Sequence, residues 1–125
     1  GIPFMKLFLI SIVCLLLGAC AATHPDPEII DTAENAIQRA EAAGGDEFAP
    51  VEMRFAREKF ASAQKGMEKQ KYEVAVYLME ESEINAELAI EKSRTAKSRR
   101  RVNEQRKTNQ ELEGKLKATF GDDFK

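Results

Sequence analysis

The sequence predicts an all-α protein: a short apolar leader, then a small three-helix arrangement whose last helix is long and partly projecting. Three observations carry this. Apolar residues recur at steps of three and four along successive stretches, the period of a one-sided helix. Proline and glycine fall between those stretches rather than within them. Beyond Lys71 neither residue interrupts the chain until Gly114. A length of 125 residues allows one domain at most.

The leader comes first. From Met5 the chain has a basic Lys6, then an apolar run from Leu7 to Leu17. At 1.5 Å per residue this run covers roughly 16 Å, about half of a ~30 Å hydrocarbon core. A signal-peptide core therefore suits it better than a transmembrane helix. The run ends in Leu17-Gly18-Ala19-Cys20, which resembles the lipobox of bacterial lipoproteins. The resemblance implies cleavage before Cys20 and a covalent diacylglycerol and N-acyl lipid on that cysteine. It also implies sorting to the outer membrane, facing the periplasm, because Ala21 rather than aspartate follows Cys20. Two or three acyl chains make such an anchor stable, at about 0.8 kcal/mol per buried CH₂. Cys14 lies within the leader, so neither a disulfide nor a thiolate metal site is expected after processing. The expected organisation is residues 1–19 as leader, 20–25 as lipidated tether, 26–96 as helical domain and 97–125 as a basic, charged tail.

The first helix of the module opens at Asp26-Pro27, with Asp as cap and Pro at the first helical position. Ile30, Ala33, Ile37 and Ala40 form its apolar face, and Gly44-Gly45 ends it. Pro50 starts the second helix, striped by Met53, Ala56, Phe60, Ala63 and Met67, with Glu52 near its positive end. A turn is expected around Glu68-Lys69-Gln70, although no proline enforces it and a continuous helix competes. The third helix carries apolar residues on two sides. Tyr72, Ala75, Val76, Met79, Ala86 and Ile90 share one face, while Val74, Tyr77, Leu78, Ile84 and Leu88 lie nearly opposite. A helix apolar on two sides is generally buried on two sides. The first helix or another subunit is therefore expected to cover the second face. Further on, Val102, Asn109, Leu112 and Leu116 fall at heptad-like spacing, too few for a firm coiled coil. The helix from Lys71 to about Thr119 should be roughly 70 Å long. Its last half must project, pair between chains or fray.

Charge divides the module. Asp26 to Glu91 holds 7 Lys+Arg against 16 Asp+Glu, whereas Lys92 to Lys117 holds 10 against 3. Lys97, Arg99, Arg100, Arg101, Arg106 and Lys107 are the candidate anion-binding residues. On a helix they surround the axis, giving a broad positive potential that would attract lipopolysaccharide, peptidoglycan or an acidic protein. The competing reading is a solvated helix whose arginines pair with the acidic domain of a neighbouring chain. A periplasmic address disfavours nucleic acid, and the absence of Trp argues against a base-stacking platform.

Catalytic signals are missing. The one histidine, His24, sits in the tether with no metal-ligand spacing. Gly44-Gly45 lacks the lysine and helix context of a phosphate loop. Glu80, Glu81, Glu83 and Glu87 cluster, but on a narrow bundle they are expected to face water rather than a pKa-perturbing cleft. The expectation is a protein that is not an enzyme and has no catalytic, metal or cofactor site.

Several segments together resemble a known family. Ala36-Ile37, Arg39-Ala40-Glu41-Ala42-Ala43, Phe48-Ala49-Pro50, Ala56-Arg57-Glu58-Lys59 and Tyr72-Glu73-Val74-Ala75 occur in its order. This is similar to the domain-of-unknown-function family 4398, alanine-rich helical bacterial lipoproteins, over Ile30 to Ala96. The family commonly has glycine before an acidic residue at the turn preceding its tyrosine segment, where this chain has Lys69-Gln70-Lys71. The resemblance implies a helical envelope module and transfers no catalytic residue. Ala56 to Ala89 also echoes a tetratricopeptide helix pair, of which one alone makes no solenoid.

The expected function is therefore a non-catalytic, membrane-anchored envelope lipoprotein that binds an envelope protein or itself. A peptidoglycan-linked tether is the alternative: the chain resembles the small murein lipoprotein in its lipid end, long helix and C-terminal Lys125.

Overall fold

In the computed structural model residues 1, 3–16 and 23–121 are described, and no strand occurs among them. Five helices follow in order: α1 Phe4–Leu16, α2 Glu28–Ala42, α3 Gly45–Phe48, α4 Pro50–Glu68 and α5 Tyr72–Phe120. The fold is all-α with a long C-terminal helix. Among the described residues α1 packs against none of the others. No described helix is long and apolar enough to cross a membrane.

Local chemistry sets the boundaries. The Asp26 carboxylate accepts the Glu28 N–H at 3.0 Å, satisfying one of the unpaired donors at the start of α2. α2 ends where Gly44 takes φ +89°, a left-handed conformation that costs glycine little. The next four residues form the single turn α3, unexpected from the sequence. Gly45 is required at its start: a Cβ there would lie 2.6 Å from Met53 Sδ and 2.8 Å from the Ala40 carbonyl oxygen. Pro50 occupies the first turn of α4, as the sequence predicts.

α4 and α5 are separate helices. The turn closes with Lys71 N–H donating to Gly66 O at 2.9 Å and Gln70 N–H to Met67 O at 3.0 Å. These are the two bonds of a Schellman motif, and its left-handed position, usually glycine, is Gln70 at φ +58°. The continuous helix that competed with the turn does not form.

α2 and α4 lie along one side of α5. Two core clusters result: Ala36, Ala40, Ala49, Met53, Ala56, Ala86, Ala89 and Ile90 in one, Ala33, Ala63 and Met79 in the other. Ile29, Ile30, Phe60 and Leu78 half-cover the second. Alanine dominates because the helices approach closely; a Cβ on Gly66 would sit 3.1 Å from the Ala75 Cβ. Two serines share this core. Ser82 Oγ donates to Ala56 O across the α4–α5 interface, and Ser93 Oγ to Ala89 O, each at 2.7 Å. Among the described residues no buried side-chain nitrogen or oxygen lacks a partner.

Of the two covers expected for the second face of α5, the first helix does not supply one. Within the chain only one face of α5 is covered. Leu78 is half-buried, but Val74, Tyr77, Ile84 and Leu88 remain exposed. The reason is spatial: α2 and α4 both dock on the Ala75–Met79–Ala86 side, and α2 does not reach round to the other.

Candidate interaction surface

Where α3 meets α5, the basic run touches the bundle. The Lys97 ammonium lies 5.8 Å and the Arg100 guanidinium 4.9 Å from the centre of the Phe48 ring. Cations over an aromatic face are attracted by its quadrupole. Arg100 also donates to Glu47 at 3.1 Å. The candidate anion-binding residues are thereby divided. Lys97 and Arg100 are held against α3, while Arg99, Arg101, Arg106 and Lys107 form no ion pair among the described residues. Every residue from 97 to 120 is exposed, so these side chains surround a solvated helix rather than line a cleft.

A second cluster locks the corner between α2 and α4. Arg57 donates to Asp46 at 2.7 and 3.1 Å through two nitrogens, and to Glu41 at 2.8 Å. The forked guanidinium suits such double recognition. Hydrogen bonds from these carboxylates push the Arg57 pKa up, and the Arg57 hydrogen bond holds the Asp46 carboxyl below its ordinary value. Sequence reasoning noted Arg57 only as part of a motif. The signal for its role was Asp46, placed beside the α2–α4 turn.

Two more ion pairs join α5 to its neighbours, Lys92 to Glu52 and Arg39 to Glu87. The Lys92 hydrogen bond is the main cause of a lowered Glu52 pKa, with a backbone N–H at the start of α4 adding to it. Of the acidic cluster, Glu87 is thus engaged, whereas Glu80, Glu81 and Glu83 have no ion pair among the described residues. His24 rests on Tyr72, ring centres 4.7 Å apart, bringing the tether to the start of α5.

Among the described residues no group of three or more His, Cys, Asp or Glu could hold a metal ion. Leu17, Gly18, Ala19 and Cys20, expected as a lipobox, and Lys125 lie outside the described residues.

These features define a class: a small alanine-cored helical module carrying a bare, charged helix. The chain belongs to the family described as Domain of unknown function (DUF4398), whose model matches residues 28–105. The match begins at the first residue of α2 and runs past the last buried residue, Ser93, into the exposed part of α5. No curated protein and no solved structure matches the chain.

Proposed function

We propose that this chain is a lipid-anchored envelope lipoprotein whose helical module acts without catalysis, through protein or envelope contacts. The observation that carries this reading is Leu17-Gly18-Ala19-Cys20, standing directly behind an apolar segment and just ahead of the tether. Small residues before the cysteine let an extended chain enter a peptidase site, and the thiol accepts the diacylglycerol. An exposed α5 supports the rest, offering charged and apolar surface.

Intact-mass spectrometry of the protein purified from bacterial membranes tests it. The expected species begins at Cys20 and carries the mass of a diacylglycerol plus one acyl chain. A Cys20→Ala variant is expected to retain its leader. A chain recovered with a free Cys20 thiol would end the proposal.

A second reading has its own observation: Arg99, Arg101, Arg106 and Lys107 have no ion pair among the described residues. Binding to vesicles containing anionic lipid, with none to neutral vesicles, is its expected mark. Changing these four residues to Gln should abolish the difference.

A further inference from the structure

The bundle leaves a long apolar seam on α5. Its exposed large apolar residues up to Leu116 are Val74, Tyr77, Ile84, Leu88, Val102, Leu112 and Leu116. Steps of three and four from Val74 run through 77, 81, 84, 88, 91, 95, 98, 102, 105, 109 and 112 to 116. Every one of the seven falls on that series. Single exposed apolar residues are ordinary. Seven on one 3.5-residue repeat, along roughly 60 Å of helix, follow the spacing of a left-handed coiled-coil seam. The other six positions of the series are polar: Glu81, Glu91, Thr95, Ser98, Gln105 and Asn109. Ala75, Met79, Ala86 and Ala89 are buried on the other side, so among the described residues nothing obstructs the seam.

Charge identifies the occupant. Residues 72–91 of α5 hold six Glu and no Lys or Arg, while residues 92–120 hold ten Lys+Arg and three Glu. A parallel pair would set Glu80, Glu81 and Glu83 beside their own copies, and Arg99 and Arg101 likewise. An antiparallel pair sets the acidic half of each helix against the basic half of the other. It also brings the two apolar stretches together, 74–88 of one copy on 102–116 of the other, with the small Thr95 and Ser98 near the crossing. We propose that the partner of this surface is a second copy of the chain, bound antiparallel along α5. Because His24 rests on Tyr72, the two tethers leave from opposite ends of the pair. The pairing stands on α5 alone and does not depend on lipid at Cys20.

Mixed ¹⁴N and ¹⁵N full-length protein in mild detergent, treated with an amine cross-linker, tests it. Within one α5 helix, Lys71 and Lys115 lie about 65 Å apart, beyond cross-linker reach. The expected result is mixed-isotope links from Lys69 or Lys71 to Lys107, Lys115 or Lys117. Cys20→Ala protein should give the same links, separating this outcome from that of the lipoprotein reading. Mixed-isotope links of Lys107 or Lys115 to themselves would mean a parallel pair and overturn the proposal. So would a monomer in analytical ultracentrifugation at the concentrations cross-linked.

Changing Ile84 and Leu88 to Gln should weaken association at least tenfold with unchanged circular dichroism, since both side chains are exposed. Association equal to the parent's would count against the seam. Raising salt to 1 M shortens the screening length to about 3 Å and should weaken an antiparallel pair. Stronger association in salt would indicate like charges in contact and defeat the assignment.

Discussion

The two halves of α5 share one unbroken helix and hold their shape by different means. Residues 72–96 bury Ala75, Met79, Ser82, Ala86, Ala89, Ile90 and Ser93 against α2 and α4. Residues 97–120 bury nothing. The division falls at Phe48 and Glu47, whose hold on Lys97 and Arg100 is the last contact the bundle makes. A continuous helix is therefore no guide to where a packed unit stops. Tertiary contact stabilises the first half; the second relies on helix propensity and on pairs such as Glu111 and Glu113, spaced four residues before Lys115 and Lys117.

The comparison breaks most sharply under one substitution made in each half. Met79 is fully buried, so Met79→Ala should cost about 2–5 kcal/mol in urea unfolding. Leu112 is half-exposed, and Leu112→Ala, measured where the protein is monomeric, should change global stability by less than ~0.5 kcal/mol. Equal effects would mean that the second half folds with the bundle.

Ion pairs come next in size. Arg57 ties α2, α3 and α4 together from the surface, so Arg57→Ala should cost on the order of 1 kcal/mol. Its pH signature follows from Asp46. A carboxyl whose folded pKa is depressed adds stability above its unfolded value, 3.8 here, and loses it as pH falls through the folded value. Glu52, depressed by Lys92, behaves likewise from about 4.5 downwards. Thermal midpoints should therefore drop below about pH 4.5. In Arg57→Ala the lower part of that acid limb should flatten, and in Lys92→Gln its upper part.

A smaller effect sharpens the turn that opens the packed half. Gln70 holds a left-handed φ that disfavours side chains with a Cβ. Gln70→Gly should stabilise the protein by about 0.5–1 kcal/mol, seen as a raised melting temperature. No gain would mean that the Gln70 side chain compensates the strain.

Much of this was legible in advance. Pro27, Pro50 and Gly44 mark helix boundaries through backbone chemistry that neighbours cannot override. The alternation of Met53, Ala56, Ala63 on α4 with Ala75, Met79, Ala86 on α5 identified the faces that meet. The turn at Gln70 was harder, because a glutamine there is driven left-handed by the close α4–α5 approach at Gly66 rather than by its own preference. The single turn α3 could not be read, since it depends on Gly45 fitting beneath Met53. The two-sided pattern of α5 was visible, yet periodicity records that a face is apolar and not whether the same chain covers it. Arg57 was visible as a motif residue, but its partners lie 11 and 16 positions away. Leu17-Gly18-Ala19-Cys20 differs in kind, because the processing proposed for it would be read from the linear sequence and not from the fold that follows.

The smallest global effect isolates the projecting half. Gly114 stands in the middle of the bare helix, and a Cβ there would meet nothing within 4 Å. Glycine inside a helix costs about 0.5–1 kcal/mol relative to alanine, through backbone entropy. In a packed helix Gly114→Ala would raise the stability of the whole bundle by that amount. In a stalk that opens separately, it should leave urea unfolding of the bundle unchanged. It should instead slow hydrogen exchange of amides around residues 108–118 by about two- to fivefold, the equilibrium equivalent of that energy. A shift of the global unfolding midpoint by the full amount would show that the two halves of α5 fold as one cooperative unit. Slowed exchange confined to the stalk would show that its helix is held turn by turn.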